Sequence, residues 1–265
     1  SRLSADGSIL LGSTFLGGLE NDGLNIDGNL RYNYADEVRG EILLDDQEQV
    51  LVASSTQSTD FPTAGNPLQA VYGGGQQDGT LTKLTPDLRP VTWSTFVGGD
   101  QSDALYAIAL NRQGEIYVTG GTYSFNLPTT SGVLYSTFNG GRSDGLIARI
   151  SPNGQNLQAL TYFGTPFYEQ LFFIETDREN RVYVFGQTEN QDSSLFFNAG
   201  YGVPGTGQVV SKMSPNLDTL IWSTNFGTDP GVPNLSPTAF LVDVCNSIYL
   251  SGWGGNVNQI GRAHV

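Results

Sequence analysis

Gly114-Glu115-Ile116-Tyr117-Val118-Thr119-Gly120-Gly121-Thr122 returns as Asn180-Arg181-Val182-Tyr183-Val184-Phe185-Gly186-Gln187-Thr188, and again as Asn246-Ser247-Ile248-Tyr249-Leu250-Ser251-Gly252. Tyr117, Tyr183 and Tyr249 stand 66 residues apart, as do Thr56, Thr122 and Thr188. A weaker copy, Val50-Leu51-Val52-Ala53-Ser54-Ser55-Thr56, comes first. A fixed period of this kind marks tandem units, each burying its apolar face against a neighbour.

Other segments keep the same step. Asp78-Gly79-Thr80-Leu81-Thr82-Lys83-Leu84-Thr85-Pro86 pairs with Asp144-Gly145-Leu146-Ile147-Ala148-Arg149-Ile150-Ser151-Pro152, and Gln208–Pro215 follows after 63 residues. Ser13-Thr14-Phe15-Leu16-Gly17-Gly18 recurs as Ser94-Thr95-Phe96-Val97-Gly98-Gly99, with degenerate copies at Thr161–Gly164 and Thr224–Gly227. Each unit reads as four short strands, rich in β-branched and aromatic residues and free of a helical apolar period. The turns agree. Asp45, Asn111, Asp177 and Asp243 open one turn, and Glu48, Gly114, Asn180 and Asn246 follow three residues later, where a left-handed residue is wanted. Pro86, Pro152 and Pro215 set φ in the second turn.

Four antiparallel strands per unit, tandemly repeated, predict an all-β chain built as a β-propeller of four-stranded blades. A β-helix, with shorter parallel rungs, is the alternative. The expected division is residues 1–36, a trailing strand near Ile9–Leu16 plus an acidic Gly/Asn-rich loop; blades at 37–99, 100–165 and 166–228; and half a blade at 229–259. About 3.5 blades fall short of the roughly 4–8 of a closed ring, so an incomplete propeller is expected. A blade takes about 40–50 residues, so each unit carries a surplus of about 20, as in Thr122–Ser143; such insertions often form a binding face.

Ile260-Gly261-Arg262-Ala263-His264-Val265 breaks the pattern. It matches the translation of a common sequencing adapter whose next codon is a stop, and is expected to be read-through rather than native chain. The only His lies in it. Without Arg262, 11 basic residues face 26 acidic ones and the net charge moves from −14 to −15. A segment without His supplies no Ser-His-Asp triad. The acidic balance argues against nucleic acid as a partner. One Cys excludes an internal disulfide and Cys-rich metal sites. No apolar run approaches the roughly 18 residues of a membrane span.

Asp60-Phe61-Pro62-Thr63, Ala70-Val71-Tyr72-Gly73-Gly74-Gly75, Ser94–Gly99 and Gly114–Gly120 resemble the bacterial SBBP β-propeller repeat over about Leu10 to Gly255. Ser251-Gly252-Trp253-Gly254-Gly255 resembles copies in large Bacteroidetes surface proteins, many of which carry a gliding-motility-type sorting module. The resemblance implies the propeller fold and export to the cell surface. The third copy departs from it: Gln191–Phe197 lacks the Phe-Pro-Thr element, and Val210 stands for the repeated Asp.

Two carboxylate columns follow the period: Glu37, Asp103 and Glu169, and Asp78 and Asp144. Rings of carboxylates can bind Ca²⁺, but recurrence with each blade favours acceptance of backbone N–H bonds. Glu20–Asn29 is acidic and Gly-rich but lacks EF-hand spacing, so a solvated loop is expected, with a weak Ca²⁺ site as the alternative. Trp93, Trp222 and the recurrent tyrosines are expected in blade packing. Phe61, Tyr72, Tyr123, Phe125, Tyr135, Phe138 and Tyr201 lie in the inserted loops and are the candidate ligand contacts, or else seal those loops onto the blades. Cys245, without a neighbouring base, is not expected to be catalytic. The Gly-rich turns lack the Lys-Ser/Thr of a phosphate loop. No cofactor, catalytic residue or metal ligand is assigned. The expectation is a non-enzymatic propeller of a secreted or surface protein, engaged in adhesion or scaffolding with a protein or glycan. The alternatives are a polysaccharide-binding or polysaccharide-cleaving propeller and a Ca²⁺-stabilised module.

Overall fold

The repeated strand pattern folds as repeated sheets. The computed structural model describes residues 1–254, so the tail at 260–265 and residues 255–259 lie outside the described part. Strands β1 (Arg2–Leu3) and β2 (Leu10–Gly12) form a two-stranded sheet. The first four-stranded sheet has the order β3 (Glu41–Leu44), β4 (Val50–Thr56), β5 (Asp78–Leu84), β6 (Val91–Val97). The second is β7 (Asp103–Leu110), β8 (Ile116–Thr122), β9 (Asp144–Ile150), β10 (Leu157–Phe163). The third is β11 (Glu169–Thr176), β12 (Val182–Thr188), β13 (Thr206–Met213), β14 (Leu220–Pro230). A final pair joins β15 (Leu235–Val242) to β16 (Ile248–Gly254). Every pairing is antiparallel between chain neighbours. Among the described residues there is no α-helix, and no helix long and apolar enough to cross a membrane. The expectation of an all-β chain of repeated four-stranded antiparallel sheets holds. The described strands do not close a ring.

Strand alternation sorts side chains into two cores. Leu105, Ile108, Ile116, Val118, Leu146, Ala148 and Ile150 face the first sheet and meet Leu51, Leu81 and Trp93. Ala107, Ala109, Tyr117 and Ile147 face the third sheet and meet Leu171, Ile174, Val182 and Val184. The second sheet is therefore covered on both faces, and β7 reads as a near-continuous apolar run. The exception is instructive. Tyr117 and Tyr183 are buried, whereas Tyr249 at the same repeat position is 57% exposed, because no described strand packs on that face of β16.

The turns follow their side chains. The Asp45, Asn111, Asp177 and Asp243 carboxylate or amide oxygens accept N–H bonds from residues two and four positions on. Glu48, Gly114, Asn180 and Asn246 all take positive φ.

Two local expectations are corrected. The N-terminal segment holds two strands, not one: Arg2–Leu3 pairs with Leu10–Gly12, and residues 13–18 are not strand. A two-residue strand carries no readable alternation. In the third sheet, Gly207 rather than Val210 stands where Asp78 and Asp144 stand in the others, since Gln208 pairs with Gln187 and Met213 with Val182. Three residues are missing from the preceding loop, so the 66-residue step overshoots there.

The long loops after the second strand of each sheet run back along its outer edge. Ala64 exchanges backbone bonds with Ser94, Thr130 donates to Leu160, Tyr162 donates to Tyr135, and Phe197 exchanges with Ser223. They satisfy the edge that β6, β10 and β14 would otherwise expose.

Candidate functional site

The inner ends of the sheets carry the most concentrated polar chemistry. Asp103 begins β7 and accepts the Gly99 N–H and the Ser124 hydroxyl, both at 2.7 Å. Glu169 begins β11 and accepts the Thr165 N–H at 2.7 Å and the Thr165 and Thr188 hydroxyls at 2.6 Å. Glu37, the expected third member, is exposed in a 3-10 turn over Tyr34–Val38. Asp22 takes the place instead: it bridges to Thr56, accepts the Gly18 N–H at 2.8 Å, and accepts the Thr56 hydroxyl. The cause is an insertion. Ser13–Gly18 lies 81 residues before Ser94–Gly99, 15 more than the period, and Asp22 lies 81 before Asp103. That offset was the available signal.

Asp78 and Asp144 begin β5 and β9 and accept N–H bonds from Gly73 at 2.5 Å and Asn139 at 2.7 Å. Burial pushes Asp78 up to about 8 and Asp144 up to about 7, with the neighbouring Asp103 and Glu169 charges adding to it. Burial also raises Asp103 to about 7 and lifts Glu169. Asp78 and Asp103 both flank Gly98: a Cβ there would lie 2.6 Å from one carboxylate oxygen and 2.8 Å from the other. All four carboxyls are fully buried, so none reaches a substrate. They act as clamps on the Gly-rich turns that enter each sheet. No group of three or more His, Cys, Asp or Glu that could hold a metal occurs among the described residues.

The insertion, 23–40, is not the solvated loop that its composition implies. Asn25, Leu30 and Asp36 are buried to 1% exposure or less. It crosses the inner ends of the sheets. The Asn25 amide donates to the Tyr106 hydroxyl at 3.0 Å, and that hydroxyl donates to Gln170 at 2.7 Å. Asn33 donates to Gln187 at 2.7 Å, and Arg39 donates to the Pro237 carbonyl at 3.0 Å. Asp36 accepts from Arg39 Nε at 2.7 Å, while the guanidinium lies 4.1 Å from the Phe172 ring centre. Tyr32 stacks on Tyr168 at 5.0 Å, and Arg142 covers both rings. One segment thus contacts strands of all three four-stranded sheets and β15. Composition could not reveal this, because the segment's partners are up to about 200 residues away in the chain.

The loop aromatics divide. Phe61 is buried against Phe96, and Tyr72 meets the same ring edge-on at 5.8 Å. In the second sheet Phe138 meets Tyr162 edge-on at 6.1 Å and extends the cluster to Tyr123 and Phe125. Tyr135 packs against the first core. Phe125 and Tyr201 remain exposed, at 57% and 78%. Six of the seven therefore touch a sheet or one another, and Tyr201 stands apart. Cys245 is free and exposed.

The chain matches no family model and no curated relative.

Proposed function

We propose that the chain is a run of β-propeller blades in a secreted or cell-surface bacterial protein, serving as a non-enzymatic interaction scaffold. The observation that carries this reading is the arrangement of its ionisable groups. The buried carboxyls are bonded to the backbone and hydroxyl groups of their own turns, and the central ends of the sheets are occupied by the chain itself through residues 23–40. What remains outward is an acidic surface with exposed loop side chains, suited to contacts in the extracellular medium. The SBBP-like repeat and the meander order of the sheets support the propeller reading. Antibody labelling of intact, washed source cells tests the placement. Labelling outside the cell is expected, and protein confined to the cytosol overturns the proposal.

A further inference from the structure

The junction between the first and second sheets differs from the junction between the second and third, although the repeat makes them counterparts. At the second junction Arg149 and Tyr117 fill the space. Arg149 pairs with Glu115 at 2.7 Å, donates to Asn216 at 2.7 Å, and shares the Pro215 carbonyl with the Tyr117 hydroxyl. At the first junction the same positions hold Lys83 and Leu51. Lys83 pairs with Asp45 at 2.7 Å and reaches the Pro152 carbonyl at 3.4 Å, and Leu51 carries no polar end. The shorter side chains leave a cavity of about 340 Å³. That is the small end of the range for ligand clefts, about 300–1,000 Å³.

Its lining is selective in kind. Trp93 forms one wall; the residue is 3% exposed, and its indole Nε1 has no hydrogen-bond partner. Gly154 packs on the indole so closely that a Cβ there would lie 2.4 Å from the ring, which fixes the ring in place. Gln49, Asn66 and Thr92 also line the cavity, and their side chains make no hydrogen bond to the described residues. No Asp or Glu lines it, and its one cation, Lys83, is already paired. A charged ligand would find no counter-ion. A neutral ligand with several hydroxyls would find an unused indole donor and unpaired side-chain amides, the mixture of apolar wall and few convergent polar groups that sets ligand orientation.

We propose that this cavity between the first two sheets binds one neutral hexose-type residue of a glycan, held by Trp93, Gln49 and Asn66. The site rests on the reading of the chain as a non-catalytic interaction module and gives that module a ligand class. Isothermal titration of the 265-residue chain with glucose, galactose, mannose and N-acetylglucosamine, and with their short oligomers, tests it. Saturable binding of at least one sugar is expected. Trp93→Phe, which keeps the ring and removes the donor, weakens binding about tenfold, as for one lost hydrogen bond. Lys83→Arg, which reproduces the filled junction, abolishes it. Gln49→Ala, at the rim, weakens it without disturbing the core, and circular dichroism confirms that each variant is folded. Folded protein that binds none of these sugars, or binding that Lys83→Arg and Trp93→Phe leave unchanged, overturns the site and leaves the scaffold reading standing. Release of reducing ends from a bound oligomer overturns the non-catalytic reading and leaves the site.

Discussion

Asp78 illustrates how one residue sets a pH dependence. Its carboxyl titrates near 8 in the folded chain because burial disfavours the charged form. In the unfolded chain it titrates at about 3.9. Folding therefore favours the protonated acid, and stability contributed by this group falls as pH rises from about 4 to about 8. Asp144 acts in the same direction over a window ending near 7. Asp78→Asn, which keeps an acceptor for the Gly73 N–H, is expected to raise stability at pH 8.5 by on the order of 1–2 kcal/mol and to change it little at pH 4. Urea titration at the two pH values measures the difference; equal shifts would show that the carboxyl is not the source. The sequence placed Asp78, Asp144, Asp103 and Glu169 at strand starts correctly by spacing alone. It put Glu37 in the column instead of Asp22, because a fixed step cannot register an insertion between two copies.

At the scale of the strand, the repeat carries a glycine whose requirement differs from copy to copy. Gly120 pairs with Leu105, Gly186 with Leu171 and Gly252 with Pro237, each beside a bulge in the first strand of its sheet. A Cβ would lie 1.8 Å from the Ala104 carbonyl oxygen at Gly120 and 2.0 Å from that of Gln170 at Gly186, but 3.2 Å from that of Ser236 at Gly252. Gly120→Ala and Gly186→Ala are each expected to cost at least about 2 kcal/mol, since backbone must move. Gly252→Ala is expected to cost well under about 1 kcal/mol. Thermal melts of the three variants rank them; a uniform effect would refute the close-approach explanation. The turns were legible in the sequence for a related reason. Asp, Asn, Gly and Pro act on the backbone within four residues, so their spacing is enough. The roles of the long loops were not legible, since their hydrogen bonds go to β6, β10 and β14, whose register depends on the whole sheet.

Across the whole molecule, the charge of −14 coexists with few buried cations, and the most buried acids are bonded to their own turns. With those oxygens engaged by N–H and hydroxyl donors, added Ca²⁺ has little to coordinate at the sheet starts. The melting midpoint is expected to agree within about 1 °C in millimolar Ca²⁺ and in chelator, the shift expected when added ligand far below its dissociation constant stabilises little. A rise of several degrees with Ca²⁺ would mean that the carboxyls open to the ion. The sequence by itself determined the period, the four strands of each unit and the chemistry of their turns, because all of these are written within a few residues and repeated. Only the tertiary structure decided that residues 23–40 cross the inner ends of the sheets, that Asp22 takes the third clamp position, and that a cavity opens at one sheet junction and not the next. Each of those outcomes depends on which side chains meet from distant parts of the chain: Lys83 and Leu51 against Pro152 at one junction, Arg149 and Tyr117 against Pro215 at the other. Spacing along the chain carries no measure of the volume left between them.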